Sequence, residues 1–246
     1  AASNPFPQVA RAYLVQVDQV NLWQQQASQR LPPASLTKLM TAMIVLDHLP
    51  LAEKVHISRA ASRETGRRLG LQPGSHYRTK DLLTAMLVAS ANDACHALAE
   101  QVAGSERQFV ALMNARALQL GLSDTHFANA CGHDASGHYA SALDLASLAR
   151  HAMQNAFIRD TCRLTTATIR PLDGSDPYRI SNSNLLLGHY DGIAGLKTGY
   201  TAQAGKCLIA YAVRGHREVL LVLLNAPNRW WDAVDMLDLA FSHAGE

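Results

Sequence analysis

With 246 residues, 48% apolar and 17% charged, the chain is long enough to bury a substantial core and has the composition of a globular domain. Twenty-two Lys plus Arg against twenty Asp plus Glu leave a formal charge of +2, and the absence of a basic run with interleaved aromatics argues against nucleic acid as a partner. No stretch approaches the roughly 18 consecutive apolar residues of a transmembrane segment, and residues 1–5 lack the basic and apolar regions of a signal peptide.

Residues 11–17 (RAYLVQV) and 20–26 (VNLWQQQ) read as two strands joined at Asp18-Gln19, a hairpin without the glycine such turns favour. Pro32-Pro33-Ala34-Ser35 then leads into a helix on which Leu36, Leu39, Met40, Met43 and Ile44 recur at helical spacing, with Ser35 at or near its N-cap. From 79 to 120 the pattern is again helical. Leu82, Leu83, Met86 and Leu87 are followed by a break at Ser90-Ala91-Asn92 and a second run through Ala94, Leu98 and Val102 that Gly104-Ser105 closes. A third run carries Phe109, Leu112, Met113 and Leu120 and stops at Gly121. Residues 122–139 are polar and read as loop, and 141–154 as a further helix.

Gly192 to Tyr200, Lys206 to Val213 and Glu218 to Leu224 are short apolar or β-branched runs with tight connections, which predicts three antiparallel strands. A closing helix over 228–243 opens on an Asn228 cap and places Trp231, Val234, Leu237 and Phe241 on its core face. Strands at both ends with helices between predict an α+β domain: a sheet region from about 1–50 and 165–246, and an inserted helical lobe at about 51–164, with no C-terminal β domain. Cys95, Cys131, Cys162 and Cys207 form no close sequence pairs, so buried thiols and disulfides both stay open.

Chemistry concentrates in three places. Ser35 and Lys38, three apart on a helix, share a face, which makes a hydroxyl nucleophile with an amine as its base. Such a lysine works if burial or a second cation lowers its pKa, and Lys197 on a strand edge is the candidate cation. Ser90 and Asn92 sit at a helix junction, where by themselves they would merely cap backbone groups. Lys197-Thr198-Gly199 lies on a strand, with glycine where another chain could approach closely. A Gly-x-Ser-x-Gly elbow is missing, which argues against an α/β-hydrolase. His126, His133, His138 and His151, with Asp134, fit no compact ligand spacing, so neither metal nor cofactor is predicted.

Ser-x-x-Lys combined with Ser-Asp-Asn and Lys-Thr-Gly marks penicillin-binding proteins and class A β-lactamases. The segments PASLTKLMTA (33–42), SANDA (90–94), GHY (137–139), GLKTGYT (195–201) and AGKC (204–207) resemble low-molecular-mass penicillin-binding proteins of the D-alanyl-D-alanine carboxypeptidase and endopeptidase family, over about residues 11–225. The resemblance implies a penicillin-recognising serine transpeptidase/β-lactamase-like fold, with an antiparallel sheet flanked by helices. It implies that Ser35 is acylated, Lys38 takes its proton, Ser90 protonates the departing amine, and Asn92 holds the acyl-side amide and helps orient Lys38. Lys197 and Thr198 would bind the substrate carboxylate beside Gly199, and the N–H groups of Ser35 and Tyr200 would form the oxyanion hole.

The implied partners are peptidoglycan stem peptides or cross-links, with β-lactams as covalent inhibitors. The implied location is periplasmic or otherwise extracytoplasmic, after removal of an export signal. The middle motif is Ser-Ala-Asn and not Ser-Asp-Asn, and Glu100 and Glu106 are the only glutamates between Ser90 and Lys197. Neither is placed like the glutamate with which class A enzymes hydrolyse their adduct, so penicillin is expected to be trapped. A β-lactamase and a non-catalytic peptidoglycan-binding module are the rival expectations.

Overall fold

The computed structural model describes residues 4–243. In chain order it contains β1 (Ala12–Val17), β2 (Val20–Gln25), a 3₁₀ turn (Ala34–Thr37), α1 (Lys38–His48), β3 (Lys54–His56), α2 (Arg59–Ser62), β4 (His76–Arg78), α3 (Thr79–Ala89), α4 (Asn92–Ala103) and α5 (Glu106–Gln119). There follow α6 (Ala142–Met153), α7 (Ala156–Thr161), β5 (Thr166–Ile169), β6 (Tyr178–Ser181), β7 (Ile193–Thr201), β8 (Gly205–Arg214), β9 (Arg217–Leu224) and α8 (Arg229–His243).

One antiparallel sheet of order β2-β1-β9-β8-β7 joins the two ends of the sequence, as expected from strands at both termini. Its centre is buried on both faces, and strand alternation sorts the side chains into two cores. Ala12, Leu14, Leu220, Val222 and Leu224 face the large core shared with α1, α6 and the helical lobe. Tyr13, Val15, Val219, Leu221 and Leu223 face the smaller core under α8. At the β1–β2 turn Asp18 and Gln19 both adopt left-handed backbone, with φ of 47° and 70°. The hairpin manages without glycine because the Asp18 carboxylate accepts hydrogen bonds from Glu218 N (3.0 Å) and Arg217 Nη1 (2.7 Å), which pins the turn to the neighbouring strand.

Helices α3, α4 and α5 lie where the periodicity places them. α3 ends because Ser90 turns into left-handed backbone at φ 58°, and α4 restarts at Asn92, so the predicted break is a sharp corner between two packed helices. The short hairpins β3–β4 and β5–β6 and the short helices α2 and α7 were not anticipated, since their few residues span too little for a periodicity to register. Among the described residues no helix is long and apolar enough to cross a membrane.

Two expectations are corrected. Ser35 does not cap a helix: it lies inside the 3₁₀ turn, with Pro33 in the cap position and no side-chain cap bond, and α1 begins only at Lys38. Trp231 is 79% exposed: α8 packs through Leu237, with Val234 and Phe241 beside it as expected, but Ala233, Met236 and Ala240 take the place given to Trp231. The two alanines let the helix axis approach the sheet more closely than a tryptophan would.

Candidate active site

The end of β7, the 3₁₀ turn, the α3–α4 corner and the 130–134 loop enclose a cleft of about 860 Å³. Ser35, Ser90, Asn92, Thr198, Gly199 and Tyr200 line it, while Lys38 and Lys197 are buried immediately behind. The 3₁₀ turn that displaces the expected cap serves the site. In that geometry residues three apart eclipse one another, and Lys38 Nζ lies 2.6 Å from Ser35 Oγ. The same amine donates to the Cys131 carbonyl oxygen at 2.7 Å, which fixes its direction.

On the opposite wall Lys197 Nζ donates to Ser90 Oγ at 3.0 Å and to the Thr198 carbonyl at 2.9 Å. The left-handed backbone of Ser90 brings its hydroxyl to this lysine from a corner that no continuous helix could supply. Gly199 lies against the 3₁₀ turn so closely that a Cβ there would sit 2.9 Å from Ser35 N. Glycine is therefore what allows the strand edge to run beside the Ser35 hydroxyl.

Both lysines are fully enclosed, and the electrostatics follow. Burial, reinforced by the neighbouring charge of Lys197, pushes the Lys38 amine well below the ordinary lysine range, toward the neutral form a base requires. Burial also lowers Lys197, to about 7, with the nearby Cys162 opposing the shift and the Arg67 and Arg229 charges adding to it. The arrangement is chemically a hydroxyl beside an amine whose proton is weakly held, with a second hydroxyl and a second lysine across a gap.

The family described as D-alanyl-D-alanine carboxypeptidase matches residues 7–228 of this chain. The chain belongs to that family, peptidase S11. It is 35% identical to D-alanyl-D-alanine carboxypeptidase DacF of Bacillus subtilis over 90% of its own length and 59% of the relative's. It is 33% identical to DacB2 of Mycobacterium tuberculosis over 86% of its length and 74% of the relative's. The chain thus spans little more than half of several curated relatives, among them DacC of Escherichia coli at 52% of its length. The structure of the Streptomyces K15 DD-transpeptidase superposes with a TM-score of 0.90 at 29% identity, covering 98% of this chain and all of the other (100%). A D-alanyl-D-alanine carboxypeptidase from Mycobacterium tuberculosis superposes equally well (0.90, 30% identity, 98% and 95% covered). The α+β fold of the family is accordingly the fold of this chain.

Within this family frame, several features of the site have no sequence motif. The Cys131 carbonyl that holds Lys38 lies on a loop fastened by a Cys95–Cys131 disulfide, whereas Cys162 and Cys207 are free and buried. Arg229, at the start of α8, donates through Nη1 to the carbonyls of Gly199 (2.9 Å) and Cys207 (3.0 Å) and lines the cleft beside Thr198. Ser183 Oγ is 2.6 Å from Thr198 Oγ1 and sets the direction of that hydroxyl. Nothing in the spacing around Arg229 or Ser183 singles them out; they reach the site through the packing of α8 and of the segment before β7.

Other expectations change. Asn92 makes no bond to Lys38; its Nδ2 donates to the Thr65 carbonyl at 2.8 Å, and its buried Oδ1 has no hydrogen-bond partner among the described residues. Lys197 commits its ammonium to Ser90 and Thr198 and does not itself line the cleft, so it acts on a ligand there through its charge. Tyr200 lines the cleft and is 65% exposed. Glu100 and Glu106 line no part of the cleft: Glu100 accepts from Ser58 Oγ (2.6 Å) and Glu106 from Ala130 N (3.0 Å). His138 is structural. Its Nδ1 accepts from Ala128 N at 2.9 Å, so its Nε2 carries the proton, 2.9 Å from Thr37 Oγ1, and burial lowers its pKa to about 4.

Proposed function

We propose that this chain is a serine-type DD-peptidase that cleaves D-alanyl bonds in peptidoglycan stems or cross-links through an acyl-enzyme and is acylated by penicillin. The observation that carries the proposal is the 2.6 Å contact between Ser35 Oγ and a lysine amine that burial and Lys197 hold toward its neutral form. Lys38 takes the Ser35 proton as Oγ attacks the carbonyl between two D-alanines. Negative charge then develops on the carbonyl oxygen, which the N–H groups of Ser35 and Tyr200 receive, the close approach of Gly199 bringing the two together.

Ser90, held by the charge of Lys197, passes a proton to the departing amine. The substrate's terminal carboxylate sits near the Thr198 hydroxyl and the Arg229 guanidinium, with Lys197 behind adding charge. The unpartnered Asn92 Oδ1 suits the acyl-side amide N–H. Water then releases the acyl group. Glu100 and Glu106 are engaged away from the cleft, and Asp134, the carboxylate that lines it, accepts from Thr201 Oγ1 and Gln203 N, so none is placed like the class A glutamate toward a β-lactam adduct. A peptidoglycan substrate supports a working location outside the cytoplasm.

Incubation with a fluorescent penicillin tests the reading: a long-lived adduct on Ser35 is expected, and rapid turnover of the drug would instead make the protein a β-lactamase. A D-Ala-D-Ala stem peptide and a 4→3 cross-linked muropeptide complete the assay. D-alanine release reports carboxypeptidase activity and cross-link cleavage endopeptidase activity; neither product would leave only a binding module.

A further inference from the structure

Behind the cleft wall formed by residues 65–68 and 131–134, a cluster of carboxylates and imidazoles converges to which the proposed mechanism gives no step. Glu64 Oε1 lies 2.7 Å and Glu106 Oε2 3.5 Å from His96 Nδ1. These three donor atoms all lie within 4.8 Å of one another, and the side chains are half-buried. We propose that Glu64, His96 and Glu106 form a binding site for a divalent cation of the zinc type, with Glu64 Oε1, His96 Nδ1 and Glu106 Oε2 as ligands and water in the fourth position.

The second atom of each ligand is already held, as metal ligands require. Glu64 Oε2 faces His133 Nε2 at 2.8 Å. His96 Nε2 lies 3.2 Å from Glu100 Oε1, which in turn accepts from Ser58 Oγ at 2.6 Å. Glu106 Oε1 accepts from Ala130 N at 3.0 Å. His96 Nδ1 is hydrogen-bonded to Glu64 Oε1 and also faces the Glu106 carboxylate, so a proton or a cation occupies the space among the three groups.

Without a metal a proton serves, shared between His96 Nδ1 and Glu64 Oε1 at 2.7 Å. A metal would displace that proton, so affinity falls as pH falls. Tetrahedral zinc with bonds near 2.0–2.1 Å separates its ligand atoms by about 3.3 Å. The Glu106–His96 distance of 3.5 Å already suits it, and the Glu64–His96 pair of 2.7 Å opens by roughly 0.6 Å. One imidazole with two carboxylates favours zinc over magnesium or calcium, which prefer all-oxygen shells.

The site reaches the chemistry through the backbone and through the charge of Glu64, which opposes the lowering of the Lys38 pKa. Glu64 precedes Thr65, whose carbonyl holds Asn92, and Glu106 holds Ala130, next to the Cys131 carbonyl that orients Lys38. A bound cation ties these two loops together and stiffens the cleft without touching substrate.

The test uses the intact protein, stripped with EDTA, and Zn²⁺ alone as the probe. Calorimetric titration should show one tight Zn²⁺ equivalent. Zn²⁺ at a hundredfold excess over its Kd should raise Tm by about 5–10 °C, and Co²⁺ should give the visible bands of four-coordinate metal. His96→Ala and Glu106→Gln should abolish all three effects, and Glu100→Gln should weaken Zn²⁺ binding by about 10- to 100-fold. Glu106→Gln keeps the shape of the side chain and so decides the matter if His96→Ala fails to fold. The rings of His56 and His76 lie 5.2 Å apart on β3 and β4 and provide the control, since His76→Ala should leave binding unchanged. Absence of a Zn²⁺ equivalent, undiminished binding in Glu106→Gln, or loss of binding in His76→Ala would each overturn the proposal.

Discussion

In Gly199→Ala the added Cβ meets backbone and not a yielding side chain: it would lie 2.9 Å from Ser35 N, 3.0 Å from Ala34 Cβ and 3.4 Å from Leu36 N. Gly199 does not occupy left-handed backbone, so alanine brings no conformational strain and the effect is purely one of space. Carbon contacts settle near 3.5–4.0 Å, so β7 recedes from the 3₁₀ turn by about half an ångström. That shift carries the Tyr200 N–H away from the position where charge develops. Loss of one such donor costs about 10²–10³ in rate, roughly 3–4 kcal/mol of transition-state stabilisation. Overpacking costs the fold about 1–3 kcal/mol, which lowers Tm by several degrees in a chain of this size. The assay is the second-order rate of Ser35 acylation by a fluorescent penicillin, with a thermal melt on the same sample. A folded variant acylated at nearly the parental rate would refute the role given to the β7 edge.

Lys38→Ala should abolish acylation while leaving the far-UV circular dichroism intact. In the parent, acylation should fall as pH drops through the depressed pKa of Lys38 and not near the ordinary value of 10.5. Because the folded protein binds fewer protons at this lysine than the unfolded chain does, its burial costs stability at neutral pH, and that cost fades as pH rises toward 10.5. Lys38→Met should therefore be more stable than the parent at pH 7, by a margin that closes in alkali; thermal melts across pH check it. Replacing Cys95 and Cys131 together by serine opens a loop of 36 residues and should cost about 4 kcal/mol, read by urea unfolding with and without a reductant on the parent. Arg229→Leu should raise KM for peptides ending in a free carboxylate far more than for the C-terminal amide, and an equal effect on both would remove Arg229 from carboxylate binding.

Much of the fold is legible in the sequence, because strand alternation and helical periodicity are local. The terminal strands and α1, α3, α4, α5 and α6 follow from the spacing of apolar residues alone. Trp231 shows the limit: helical spacing shows that α8 has an apolar side, but which stripe faces the sheet depended on the close approach allowed by Ala233 and Ala240. Ser35 shows another, since Pro33 and a left-handed Ala34 (φ 50°) tighten the entry to α1 into a 3₁₀ turn where a capped α-helix was expected.

Ser35 and Lys38 were readable because three residues of separation already make them neighbours in either kind of helix. The sequence by itself therefore determined the nucleophile–amine pair and, through three short motifs, the family. Tertiary structure alone decided what surrounds that pair. Lys38 is aimed by a carbonyl 93 residues away and Ser90 is held by a lysine 107 residues away. Arg229 arrives from α8, and Glu64, His96 and Glu106 meet across three separate segments. The physical reason is that burial, neighbouring charge and carbonyl direction are properties of the closed cleft. They set the lysine's protonation and the direction of its lone pair, and they come into being only when the sheet edge and the helical lobe pack together.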